Sequence, residues 1–139
     1  MDDASLAAVM RLARTHAALT RSLDAILGGH HGLGFAELRL LAALAAQPEG
    51  RMRPTDLAAE LEITASGVTR AVLPLEKRGI VRRERDPGDA RSSRVVLTAA
   101  GRTLVNDAVK TAAESTNRLL RRLSLGQTRQ LERLLGEIG

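Results

Sequence analysis

The sequence predicts a mainly α fold with a small β-hairpin, in the order ααααββαα. Three observations predict it. Apolar residues recur at three- and four-residue steps through most of the chain. Glycine, proline and capping residues punctuate those runs at helix-length intervals. Between Ile80 and Leu97 the period shortens to that of strands around an Asp86-Pro87-Gly88-Asp89 turn. The 139 residues suit one domain, and 44% hydrophobic with 27% charged residues is the composition of a folded globular chain.

The elements follow in order. Residues 5 to about 27 read as a long helix, with Leu6, Val9, Leu12, Leu19, Leu23 and Ile26 along it, and Gly28-Gly29 is expected to end it. His30-His31-Gly32 then reads as a loop. A second helix runs from about Gly34 to Ala46, and Gln47-Pro48-Glu49-Gly50 turns the chain. Pro54 suits the first position of a third helix, Pro54 to Leu61, with Asp56 in the turn where the helix dipole favours an acid. Thr64 is a good N-cap for a fourth helix, Ala65 to Lys77, closed by Gly79. Ile80 to Arg85 and Ser92 to Leu97 form the hairpin. Thr98 caps a fifth helix to about Arg122, and Ser124 with Gln127 makes a capping box for the last, ending at Ile138.

Composition narrows the function. With no cysteine there are no disulfides, thiolate metal sites or cysteine nucleophiles, in keeping with a reducing cytosol. The acidic start Met1-Asp2-Asp3 lacks the basic region of a secretory leader, and no apolar run is long enough to span a membrane. Phe35 is the one aromatic residue, so base-stacking platforms for single strands have no material. No phosphate loop, dinucleotide fingerprint or nucleophile elbow is present, which argues against an enzyme and against a bound cofactor. The net charge of +5 is concentrated: residues 70–94 carry eight basic groups against four acids. A solvated arginine-rich face and a polyanion-binding surface both have this appearance.

Two short helices joined by a tight turn and followed by a hairpin make a winged helix-turn-helix. Leu57, Ala58 and Leu61 can pack on Val68, Val72 and Leu75, which leaves the first turn of the fourth helix to present Ala65, Ser66, Gly67, Thr69 and Arg70. These side chains are small or hydrogen-bonding, suited to a major groove about 12 Å wide. Ser66 and Thr69 can donate to phosphates or base edges, and Arg70 can fork onto guanine or phosphate. Arg85, Arg91 and Arg94 lie on or near the hairpin, where a narrow minor groove would attract them. Asp89 is expected to orient Arg91 through a wing salt bridge. Pro74 removes a hydrogen bond to the Arg70 carbonyl and is expected to bend the helix beyond its reading turn.

The blocks Pro54-Thr55-Asp56-Leu57-Ala58, Thr64-Ala65-Ser66-Gly67-Val68-Thr69-Arg70, Leu75-Glu76-Lys77-Arg78-Gly79-Ile80-Val81, Asp89-Ala90-Arg91 and Leu97-Thr98-Ala99-Ala100-Gly101 resemble the MarR family of bacterial transcriptional regulators. The motifs cover roughly residues 35 to 105. The resemblance implies a cytoplasmic homodimer with a winged lobe at 34–98 and a helical dimerisation region at 1–33 and 99–139. It implies binding of a pseudo-palindromic double-stranded operator, and its release by a small ligand, often anionic or phenolic, from a crevice between the domains. Family DNA-contact positions carry over to Ser66, Thr69, Arg70 and Arg91, with Thr55 at a backbone-contact position. Long apolar stripes on the terminal helices (Leu104, Ala108, Ala112, Leu119 and Leu123; Leu131, Leu134, Leu135 and Ile138) support dimerisation independently.

Weaker signals remain. His16 reads as an interface histidine beside the first stripe or as a pocket residue for the effector. His30 and His31 read as solvent-exposed or as pocket residues near the implied crevice, since adjacent histidines without further ligands make a poor metal site. Arg39 reads as a surface residue or as the partner of an anionic effector. The alternatives to a regulator are a nucleoid-type architectural protein of little sequence preference and, from another class, a small helical carrier or enzyme.

Overall fold

The computed structural model describes residues 3–139. Met1 and Asp2, on which the reading of the N-terminus rests, lie outside the described residues. Six helices and a three-stranded antiparallel sheet are present: α1 (Ala4–His31), α2 (Phe35–Ala45), β1 (Arg51–Met52), α3 (Pro54–Leu61), α4 (Ala65–Lys77), β2 (Val81–Asp86), β3 (Asp89–Leu97), α5 (Ala99–Leu119) and α6 (Leu125–Ile138).

The first helix does not stop at Gly28-Gly29. It runs on to His31 and closes at Gly32, whose φ of 66° supplies the left-handed turn. The Gly32 and Leu33 amides bond back to Gly28 and Leu27, the paired bonds of a Schellman ending. A helical glycine costs about 1 kcal/mol; burial of Leu27 and Leu33 on either side of the pair offsets it. His30 and His31 are therefore helical, not a loop. Gly34 then precedes α2, with the Phe35 amide donating to Asp24 Oδ1 at 2.7 Å.

The turn from α3 into α4 is taken by Glu62 at φ 57°, the one non-glycine residue in the left-handed region among the described residues. Thr64 caps α4 by accepting the Gly67 N–H at 3.0 Å. The helix continues through Pro74 to Lys77. Pro74 is exposed while Leu75 beside it is buried, so the ring sits on the solvent side.

The hairpin pairs Val81 with Leu97 and Glu84 with Arg94, and its register shifts between Arg85 and Asp86. A third strand adds to it: β1 pairs Arg51 with Val96 and Met52 with Val95, giving the order β1-β3-β2. One core joins the end of α1 (Leu23, Leu27) to α2, α3, α4, the sheet (Val81, Val95, Leu97) and α5 (Val105, Ala108). The opposite arm differs. No residue of α6 is buried, and Leu6 and Val9 on α1 stay open to solvent, Leu6 at 63% exposure.

Candidate nucleic-acid interface

The sheet, α3 and α4 place the predicted contact residues on exposed surface. Thr55 stands in the first turn of α3; Ser66, Thr69 and Arg70 stand on α4; Arg85 and Arg91 stand on the hairpin, all exposed. Thr69 borders one small crevice together with Pro54, Arg83 and Ser93, so the starts of α3 and α4 and the base of the hairpin adjoin. The α4 hydroxyls are partly engaged already: Ser66 Oγ lies 3.2 Å from Thr64 Oγ1, and Thr69 Oγ1 donates to the Ala65 carbonyl at 3.2 Å.

The arginines of residues 70–94 divide into two sets. Arg83 pairs with Glu76 at 3.5 Å and Arg82 with Glu84 at 3.6 Å. Arg78 donates to the Gly32 carbonyl at 2.8 Å and the His31 carbonyl at 3.3 Å, which fastens the end of α4 to the negative end of the α1 dipole. Arg94 turns inward to Asp86 at 3.2 Å. Among the described residues, the guanidinium groups of Arg70, Arg85 and Arg91 take no such partner and are the arginines of this segment left for a polyanion.

Asp86 organises the hairpin. It is 3% exposed. Its Oδ2 accepts from Arg53 Nε at 2.9 Å, and its Oδ1 accepts from Arg94 and from the Gly88 N–H at 2.9 Å. The Gly88 amide is the main reason its carboxyl is held below the ordinary 3.8; burial opposes this, and Arg53 and Arg94 reinforce it. Arg53 is the residue that caps α3, so the carboxylate ties the hairpin to the helix-turn-helix. Sequence reading placed Asp86 only in a turn. A turn aspartate bonding two residues on is legible, but Arg53 lies 33 residues away.

The expected Asp89–Arg91 salt bridge is not formed. Asp89 Oδ1 takes the backbone N–H of Arg91 at 3.0 Å and Oδ2 the Ser92 hydroxyl at 3.2 Å. A short carboxylate satisfies its own turn first, which leaves the Arg91 guanidinium unpaired. The four pocket candidates do not converge either. His16 lines an apolar hollow between α1 and α6. His31 Nε2 lies 2.7 Å from Thr111 Oγ1, while His30 and Arg39 are exposed. A separate open hollow between α2 and α5, lined by residues including Ala42, Val105, Asn106 and Lys110, contains none of them. Among the described residues no group of three His, Cys, Asp or Glu is placed to hold a metal, and no helix is long and apolar enough to cross a membrane.

This architecture recurs in solved structures. Sco3205, a MarR family transcriptional regulator from Streptomyces coelicolor crystallised in complex with DNA, aligns with a TM-score of 0.89 at 27% identity, over 99% of this chain and 87% of that one. The transcriptional regulator BldR from Sulfolobus solfataricus aligns with a TM-score of 0.90 at 26% identity, over 99% and 97%. The model of the MarR family matches residues 31–92. Over that segment, rather less than half of its length, the chain is similar to the MarR family. A mutant of MarR from E. coli complexed with operator DNA shares the fold at a TM-score of 0.85 and 21% identity, over 99% of both chains. No curated protein matches the chain. The MarR-type block Leu97-Thr98-Ala99-Ala100-Gly101 has a local reason here. Thr98 caps α5 by accepting the Gly101 N–H at 3.0 Å and donates to the Gly79 carbonyl at 2.7 Å. A Cβ on Gly101 would stand 2.1 Å from the Ile80 carbonyl oxygen.

Proposed function

We propose that this chain is a sequence-specific, double-stranded DNA-binding transcriptional regulator, acting as a homodimeric repressor on a pseudo-palindromic operator. The observation that carries the reading is the division among the arginines: the segment holding most of the net charge leaves Arg70 on α4 and Arg85 and Arg91 on the hairpin exposed and unpaired. Thr55, Ser66 and Thr69 supply the neutral donors, with α4 in the major groove and the wing arginines in the adjoining minor groove. Arg94 serves the wing from behind, through Asp86. The bare apolar faces of α1 and α6 support the dimer. Symmetry then sets the two recognition helices about 34–36 Å apart, one turn of DNA.

Release by a small anionic or phenolic ligand belongs to the same reading. The α2–α5 hollow offers an apolar floor with Lys110 as a cation for it.

The test is binding to its own promoter fragment against competitor duplex at physiological salt. A regulator prefers its site by ~10³ or more. Equal retention of both duplexes replaces this reading with an architectural role, and absence of duplex binding at low salt removes both. Loss of the complex on adding hydroxybenzoates or alkylphenols is the expected sign of ligand release.

A further inference from the structure

Fourteen large hydrophobic side chains are exposed among the described residues, and twelve of them belong to α1, α5, α6 or the α5–α6 link. The other two, Ile63 and Leu73, stand on the helix-turn-helix. Ile63 has a local task. It precedes the N-cap Thr64, and its Cδ1 and Cβ lie over Gly67, within 3.8 Å of where a Cβ would stand. This is the position of a hydrophobic staple onto Val68. Leu73 has no capping task. It lies in the middle of α4 and is 44% exposed.

Its position on the helix is informative. Ser66, Arg70, Leu73 and Lys77 recur at the spacing of one helical stripe, all exposed, while Val68, Val72 and Leu75 form the buried stripe. Leu73 is thus aligned with the residues assigned to the major groove, one turn beyond Arg70. Pro74, also exposed, extends the apolar surface beside it and contributes no N–H. A groove-facing leucine can make no hydrogen bond to a base. The apolar feature that the unmodified base pairs display on the major-groove edge is the C5-methyl group of thymine.

We propose that Leu73, backed by the ring of Pro74, is a specificity-determining residue that reads thymine through its methyl group at one position in each half-site. The inference rests on the duplex-binding reading above, and its test separates the two.

The wild-type chain is used to enrich sites from a random duplex pool, and each thymine of the enriched site is then replaced singly by deoxyuridine, which lacks the methyl. One replacement per half-site is expected to weaken wild-type binding about fourfold, the effect of uncovering one methyl-sized group. Leu73→Ala is expected to bind the thymine and deoxyuridine sites equally, and Leu73→Met to restore the difference. Alanine is the strongest helix former at this exposed position, and circular dichroism checks that the variant folds. If Leu73→Ala keeps the full preference for thymine, or if no deoxyuridine replacement affects the wild type, the Leu73 assignment is overturned while the regulator reading stands. If the wild type enriches no sequence at all, both fall together.

Discussion

An arginine already committed to a carboxylate and one facing solvent give opposite results on substitution. Arg91→Ala removes a guanidinium without a partner in the chain, so thermal stability is expected to hold while the slope of log K against log salt falls by about one unit per copy removed. Unchanged affinity with an unchanged slope would remove Arg91 from the interface. Arg94→Ala instead strips a partner from buried Asp86, and is expected to lower the melting temperature first. The same carboxylate sets a pH dependence. Its folded-state pKa lies below 3.8, so the stability it contributes is present above that value and is lost as the pH falls through the lower, folded-state value. Acid unfolding of Asp86→Asn should therefore depend less on pH below about 4 than that of the wild type; parallel curves would refute the role. Charge clustering made Arg70, Arg85 and Arg91 legible as cations. It could not tell Arg94 from them, because what distinguishes Arg94 is a partner buried by folding. Nor could it see that Asp89 would prefer its own turn.

At the scale of elements, helices with strong ends were readable: Pro54 and Asp56 open α3, Thr64 opens α4, and the Ser124 box opens α6 where expected. Two features were not. A two-residue strand such as β1 has no periodicity, and it exists because β3 offers it a free edge. Gly28-Gly29 carried a stop signal that flanking leucines overrode through tertiary burial, the ordinary way in which packing defeats propensity. Gly101 shows how closely α5 must approach the end of α4. With the Ile80 carbonyl oxygen 2.1 Å and Leu97 Cδ1 2.8 Å from an added Cβ, Gly101→Ala is expected to cost about 1–3 kcal/mol. The measurement is a lower urea midpoint at unchanged m-value. An unaltered midpoint would mean that the two backbones can part without loss.

For the whole molecule, the decisive asymmetry lies between a lobe with a complete core and an arm with none. Leu131, Leu134 and Leu135 are 39–44% exposed and Ile138 is 74% exposed on a helix that buries nothing. Together with Val9, Leu12 and His16 on α1, they border a hollow of about 540 Å³. A continuous patch of that kind is uncommon on a monomer and marks an interface. In the homodimer proposed above, a second copy covers it with its own α1 and α6 under two-fold symmetry, which sets the two lobes to meet neighbouring major grooves. The mass by light scattering at micromolar concentration is accordingly expected to be twice the 14.9 kDa of one chain. Placing carboxylates on the stripe with Leu131→Glu and Leu135→Glu is expected to return it to a single-chain mass. The winged lobe should stay folded, since its core draws on no residue of α6. Operator affinity should then collapse towards that of one half-site, although every arginine proposed to contact DNA is still present. A single-chain mass for the wild type with full operator affinity would separate DNA reading from dimerisation and end the symmetric account.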